Sequence, residues 1–248
     1  MKKTEKLNAL FDKWQNKQKV EPPDSLKNTK IESNKILPEK FCKDGIVSEN
    51  TYLNEKIKIL IISNEANDED YAEELDTDRR NDFKTYYESG IDNWKGKMRE
   101  RYCEMYKLIT GNRQMETSDA AIHFAVMNIN KRGGGNSIGC SGNKGMHIEK
   151  YCEYYKKEIW DEIEIIDPDI IIWSAINTFY LVESVLGAKK INGKTVLEIN
   201  EKVIRVIRMW HASYYQGRIE PLPEYKNKII GKLMAKLKNE LDAIGWTY

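Results

Sequence analysis

The sequence predicts an α/β fold in three layers, α/β/α, in which a central, mostly parallel sheet of about four strands carries helices on both faces. Three observations carry that prediction. Apolar, β-branched runs of strand length recur at Ile57–Ile62, Ile122–Met127, Ile170–Trp173 and Val203–Ile207, and their near-continuous hydrophobicity suits strands covered on both faces. Stretches with helical spacing of apolar residues separate them, an alternation that builds parallel sheets through crossover connections. Crossovers of one hand then gather the strands' carboxyl ends on a single edge. That edge collects the polar groups Asn64-Glu65, Asn128–Lys131, Ser174 and His211–Tyr214.

The elements follow in order. Leu7, Leu10, Phe11 and Trp14 mark a helix over 5–16. From Val20 to Asn50, Pro22-Pro23, Pro38 and many Lys, Asn and Glu residues read as an irregular arm. Residues 1–50 are therefore a helix plus arm, and 51–248 a single α/β domain. After the strand at 57–62 a long helical stretch runs over 82–109 and stops at Gly111-Asn112. The strand at 122–127 places His123 in its interior and ends in Asn128–Gly135. A helix over 147–165 meets Asp167-Pro168-Asp169, and the strand 170–173 begins at once. A helix over 176–186 ends at Gly187, and Asn192-Gly193 is a turn opening a hairpin of Val196–Ile199 with Val203–Ile207. The last strand reaches Met209 or Trp210, and an amphipathic helix of about 20 residues closes the chain.

Composition narrows the class. With 248 residues, 40% hydrophobic and 32% charged, the chain can bury a substantial core and is not of disordered type. No run approaches the roughly 20 apolar residues that cross a bilayer, so no membrane role is expected. The basic start, Met1–Lys6, lacks an apolar signal core; a cytoplasmic protein is expected. Cys42, Cys103, Cys140 and Cys152 form no Cys-x-x-Cys pair, which argues against an iron–sulfur or zinc site and for free thiols. No metal and no cofactor are expected. The net charge of +1 does not announce a nucleic-acid binder, although 95–101, 131–132 and 226–238 are locally basic and 65–88 is acidic.

Among the residues suited to chemistry, Glu65 follows a buried strand beside Ser63, Asn64 and Asn67. A carboxylate there orients a water or faces a developing positive charge; equally, Ser, Asn and Glu suit a helix N-terminus. Asn128 offers the paired donor and acceptor that match a base edge or an amide. The glycines 133–135 allow close backbone approach to a ligand, or only loop freedom. His211 is one of three histidines. Placed after an apolar strand and before Ser213, Tyr214 and Tyr215, it can donate to a developing anion or serve structure alone.

Four segments in register, Asn64-Glu65-Ala66-Asn67, Asn128-Ile129-Asn130-Lys131, Pro168-Asp169-Ile170-Ile171-Ile172 and His211-Ala212-Ser213-Tyr214, resemble the motifs of the uracil-DNA glycosylase superfamily over roughly residues 55–245. The resemblance implies hydrolysis of an N-glycosidic bond in DNA after the target nucleotide is flipped into a pocket at the strand ends. It implies Glu65 positioning water or stabilising the sugar cation, and His211 stabilising the departing base. It further implies Asn64 and Asn128 as base contacts, Tyr71 or Tyr214 as a stacking surface, and Lys131, Arg132 and Ser213 on phosphates. Asn67 and Asp68 replace the Pro and Gly of the first motif, and Ala212 replaces the Pro of the last. These departures point to an altered, modified or damaged base, in repair or in antiviral defence against modified foreign DNA.

Two other classes remain open. One is a non-catalytic nucleotide- or nucleic-acid-binding module on the same fold. The other is a metal-dependent nuclease using carboxylates within 68–78. Lys131 as a Schiff-base lysine competes with its role as a phosphate contact.

Overall fold

A computed structural model describes residues 1–20, 30–31, 34–65, 76–92, 98–134, 145–175, 178–210, 223–243 and 245–246. The first helix, α1 (Lys3–Val20), buries Leu7, Phe11 and Trp14 completely. Glu49 serves its N-terminus, accepting from the backbone N–H of Lys3 at 2.7 Å and of Thr4 at 3.0 Å. Within the segment expected to be an irregular arm, the described residues form regular elements. These are β1 (Lys30–Ile31), β2 (Asn34–Lys43), β3 (Gly45–Ile46) and α2 (Glu49–Leu53). Pro38 gave the misleading signal: the β2 ladder shifts register between Leu37 and Phe41, an irregularity of the kind that admits a residue without an N–H.

β4 spans Ile59–Glu65, so Ser63, Asn64 and Glu65 close the strand rather than follow it. After β5 (Asp76–Asp78), the expected single helix is two, α3 (Arg79–Ser89) and α4 (Met98–Thr110). Asp78 caps α3 by accepting from the Arg80 N–H, and Gly90, at φ 67°, ends it; that left-handed backbone is where glycine avoids a Cβ clash. The second expected strand starts three residues late. Asp119–Ile122 is a 3₁₀ turn and β6 is Ala125–Asn130, followed by β7 (Arg132–Gly134). His123 therefore lies before the strand, its Nδ1 2.6 Å from Glu55 Oε1, while the Tyr106 hydroxyl donates to Glu55 Oε2 at 2.7 Å.

α5 (Gly145–Tyr154) and α6 (Lys156–Ile166) break at Tyr155, and β8 (Ile170–Trp173) follows. Asp169 explains the Pro-Asp pair structurally. Its carboxylate accepts from the Lys58 N–H at 2.8 Å and pairs with Lys202 at 2.8 Å, tying together the amino-terminal ends of three strands. α7 (Tyr180–Ser184) leads to β9 (Lys189–Ile191), β10 (Lys194–Ile199) and β11 (Lys202–Arg208), and α8 (Pro223–Ala243) comes last. Asn192-Gly193 turns β9 into β10, and Asn200-Glu201 turns β10 into β11. All four residues have positive φ, as the type I′ form of a two-residue hairpin turn requires.

Among the described residues the main sheet has seven strands, ordered β3-β6-β4-β8-β11-β10-β9. Its centre, β6-β4-β8-β11, is parallel. The expectation of four mostly parallel strands holds for that centre alone, because β3 adds an antiparallel edge on one side and the β9–β10 hairpin another. Alternation along the strands divides the core. Leu60, Ile62, Ala125, Met127 and Trp173 pack on one face with α1, α5 and α6; Ile59, Ile61, Val126 and Ile172 pack on the other with α3, α4 and α8. A second, smaller sheet joins β1, β2, β5 and β7. It is β2 that draws together the chain leaving β6 and the chain arriving from β4.

Candidate functional site at the carboxyl ends of the parallel strands

From β4 the chain goes on to β6, and from the adjacent β8 it goes to β11 on the far side. Connections that diverge from neighbouring parallel strands open a crevice at their carboxyl ends, where open α/β sheets bind ligands. The backbone register brings Ser63 beside Asn128 and Glu65 beside Asn130. Two of the segments singled out in the sequence are thus adjacent.

The Ser63 hydroxyl lies 3.0 Å from that of Tyr102 on α4, and Ser174 also bonds to Tyr102. Ser174 Oγ donates to the Trp210 carbonyl at 3.1 Å, and its N–H donates to Ile62 O at 2.8 Å. These bonds join the ends of β4, β8 and β11 around one buried phenol, whose pKa burial raises although the two serines oppose the rise. Asn64 points to the opposite face and is 4% exposed. Its Oδ1 accepts from Thr178 Oγ1 at 2.5 Å, and Thr178 in turn accepts from Trp173 Nε1 at 3.2 Å. Strand alternation therefore separates Asn64 from Asn128, and the two cannot grip one base from the same side. The expectation that both contact the base is corrected for Asn64, which fixes the segment after β8.

Asn128 is held from the edge. Asp44, fully buried between β2 and β3, accepts from the Asn128 N–H at 2.6 Å and from Asn128 Nδ2 at 3.2 Å. Where the short β3 runs out, a side-chain carboxylate takes over the ladder bond. The second Asp44 oxygen accepts from Lys131 Nζ, which also donates to Glu162 Oε1 at 2.9 Å. All three side chains are 0% exposed, beneath the rings of Phe11 and Trp14, which lie 5.2 and 5.5 Å from the ammonium. Burial acts to lower the Lys131 pKa, but Asp44 and Glu162 outweigh it and the pKa is raised. Burial and the neighbouring Asp44 push the Glu162 carboxyl well above the ordinary range, against the pull of Lys131. The raised pKa favours a carboxylic acid at Glu162, which lessens the negative charge placed beside Lys131 in a dry interior.

This placement corrects the expectation for Lys131. An ammonium with no exposed surface and two buried carboxyl partners is not available to a DNA phosphate, and held protonated it is not a Schiff-base nucleophile. Tyr71, His211, Ser213 and Tyr214 lie outside the described residues, as do the side chains of Glu65 and Arg132. Sequence reasoning missed Asp44, Tyr102, Glu162 and Thr178. Only Glu162, a carboxylate on the buried stripe of a helix with Ile159, Ile163 and Ile166, left a signal. Within the described residues no group of acidic, Cys or His side chains is arranged to hold a metal ion, and no helix is long and apolar enough to cross a membrane. No family model matches the chain, and no curated protein matches it.

Proposed function

We propose that this chain is a DNA glycosylase, monofunctional and independent of metal, acting on a flipped uracil-like, modified or damaged base. The reading takes the fold as the three-layer α/β/α arrangement of the uracil-DNA glycosylase superfamily and DNA as the partner. Glu65 directs water at the sugar C1′ or stabilises its positive charge. The C1′–N bond breaks, a C1′–O bond forms, and the base departs with its charge stabilised by His211. Asn128 contacts the flipped base, Tyr71 or Tyr214 stacks on it, and Ser213 and Arg132 hold the backbone.

The observation that carries the reading is Asn128. It is half-buried near the carboxyl end of β6, anchored by a buried carboxylate, and its Oδ1 has no partner among the described residues. An anchored carboxamide with an accessible acceptor, one strand from Glu65, is equipped to read a base edge.

The test is base release measured by mass spectrometry from oligonucleotides carrying uracil and a panel of modified or damaged bases, single- and double-stranded, with and without chelator. The expected result is release of at least one base, unaffected by chelator and lost in Glu65→Gln and His211→Ala. Persistence in both variants refutes the assignment of the site. DNA binding without release of any base replaces the glycosylase with a binding module. Strand cleavage that vanishes with chelator replaces it with a nuclease.

A further inference from the structure

We infer that Asp44 is a positioning residue for Asn128, fixing its carboxamide so that Oδ1 is offered outward and the site prefers a ligand edge that presents an N–H donor. The chemical logic is asymmetry of partners. A carboxylate repels the amide oxygen and attracts the amide N–H, so Asp44 Oδ2, receiving both the backbone N–H at 2.6 Å and Nδ2 at 3.2 Å, sets which end of the amide turns inward. Lys131 occupies the other Asp44 oxygen, so the carboxylate cannot rotate away from Asn128 without leaving the ammonium. Lys131 is itself fixed by Glu162 at 2.9 Å and, through its backbone N–H, by the Tyr151 hydroxyl at 3.3 Å. The chain of contacts runs from α5 and α6 through Asp44 to Asn128, whose Oδ1 has no partner among the described residues. An acceptor so oriented selects an imide or amine N–H on the ligand and disfavours an edge that offers only acceptors.

The kinetic arm of the test rests on the glycosylase reading; a second arm does not. Asp44→Asn keeps the shape, and with the Asp44 charge gone Glu162 ionises beside Lys131, so that the remaining pair is electrically neutral. Its single amide oxygen faces Lys131, which turns an NH2 toward the donors of Asn128. For the base that the wild type releases fastest, Asp44→Asn and Asn128→Ala should each slow single-turnover release by about 10- to 100-fold. The double variant should be no more than about 2-fold slower than Asn128→Ala alone, because a residue acting through another loses its effect when that other is gone. Multiplicative losses overturn the inference and make Asp44 a structural residue only. In the second arm, nuclear magnetic resonance reads hydrogen exchange of the Asn128 side-chain NH2. Slow exchange in the wild type, at least about 10-fold faster in Asp44→Asn, is expected. Exchange in the wild type at the rate of a free amide overturns the inference, even where Asp44→Asn fails to fold. A wild type that releases no base removes the glycosylase reading, while the exchange measurement still decides the role of Asp44.

Discussion

Replacing Glu162 by Gln tests the protonation of the buried network. Glutamine copies the carboxylic acid in shape, with an oxygen for Lys131 and an NH2 for Asp44. The Glu162 pKa is raised well above 4.5 in the folded protein, so the folded state binds a proton that the unfolded chain releases as pH rises past that ordinary value. The stability it supports is fully present below about pH 4.5 and is lost progressively as pH climbs toward the folded pKa. Glutamine has no such proton to hold. The difference in unfolding free energy between Glu162→Gln and the wild type should therefore grow with pH, by about 1.4 kcal/mol per unit at most. That is about 3 kcal/mol from pH 5 to pH 7 for a carboxyl protonated throughout, or roughly 6–12 °C in melting temperature for a chain of this size. Paired urea and thermal melts at half-unit pH steps measure it. A difference that is flat from pH 5 to 7, or that shrinks, refutes the carboxylic acid and with it the charge balance drawn for the three residues.

Three other outcomes follow from the same structure. Lys131→Met strands two buried carboxyls and should cost about 3–5 kcal/mol in urea unfolding, yet leave the salt dependence of any DNA binding unchanged; a salt slope smaller by about one would restore Lys131 to a phosphate. Glu201→Gly relieves a left-handed residue at φ 67° in the hairpin turn and should add about 0.5–1 kcal/mol of stability; a loss would show that the Glu201 side chain contributes more than its backbone strain costs. Burial pushes the Cys103 thiol well above its ordinary range, so a thiol reagent at pH 8 should modify it only on unfolding, as read by peptide mapping, and rapid native labelling would contradict that burial.

The parallel centre of the sheet was legible because its signal is local. Ile59–Ile62 and Ile170–Trp173 are apolar on both faces, which only a covered strand tolerates. The edges were not legible, because β2 and β3 owe their form to partners far away in the chain. Lys43 pairs with Asp78 and Phe41 with Arg132, and no periodicity within 34–46 announces either. Helix breaks at Gly90 and Tyr155 were hidden by apolar spacing that continues across them. At the site, position along the chain was enough to bring the ends of β4 and β6 together. It did not reveal which face each side chain takes: one residue of register separates Ser63, beside Asn128, from Asn64, bonded to Thr178. Nor did Lys131 betray its burial, since its carboxylates lie 87 and 31 residues away.

That separation of 87 residues between Asp44 and Lys131 has a consequence for the newborn chain. A ribosome adding about 5–20 residues per second presents Asp44 roughly 4–17 s before the lysine that neutralises it. During that interval α1 has neither the ammonium to cover nor β7 to complete the sheet around β2. Until the middle of the chain arrives, the apolar face of α1 and the Asp44 carboxylate lack partners that bury them in the folded protein.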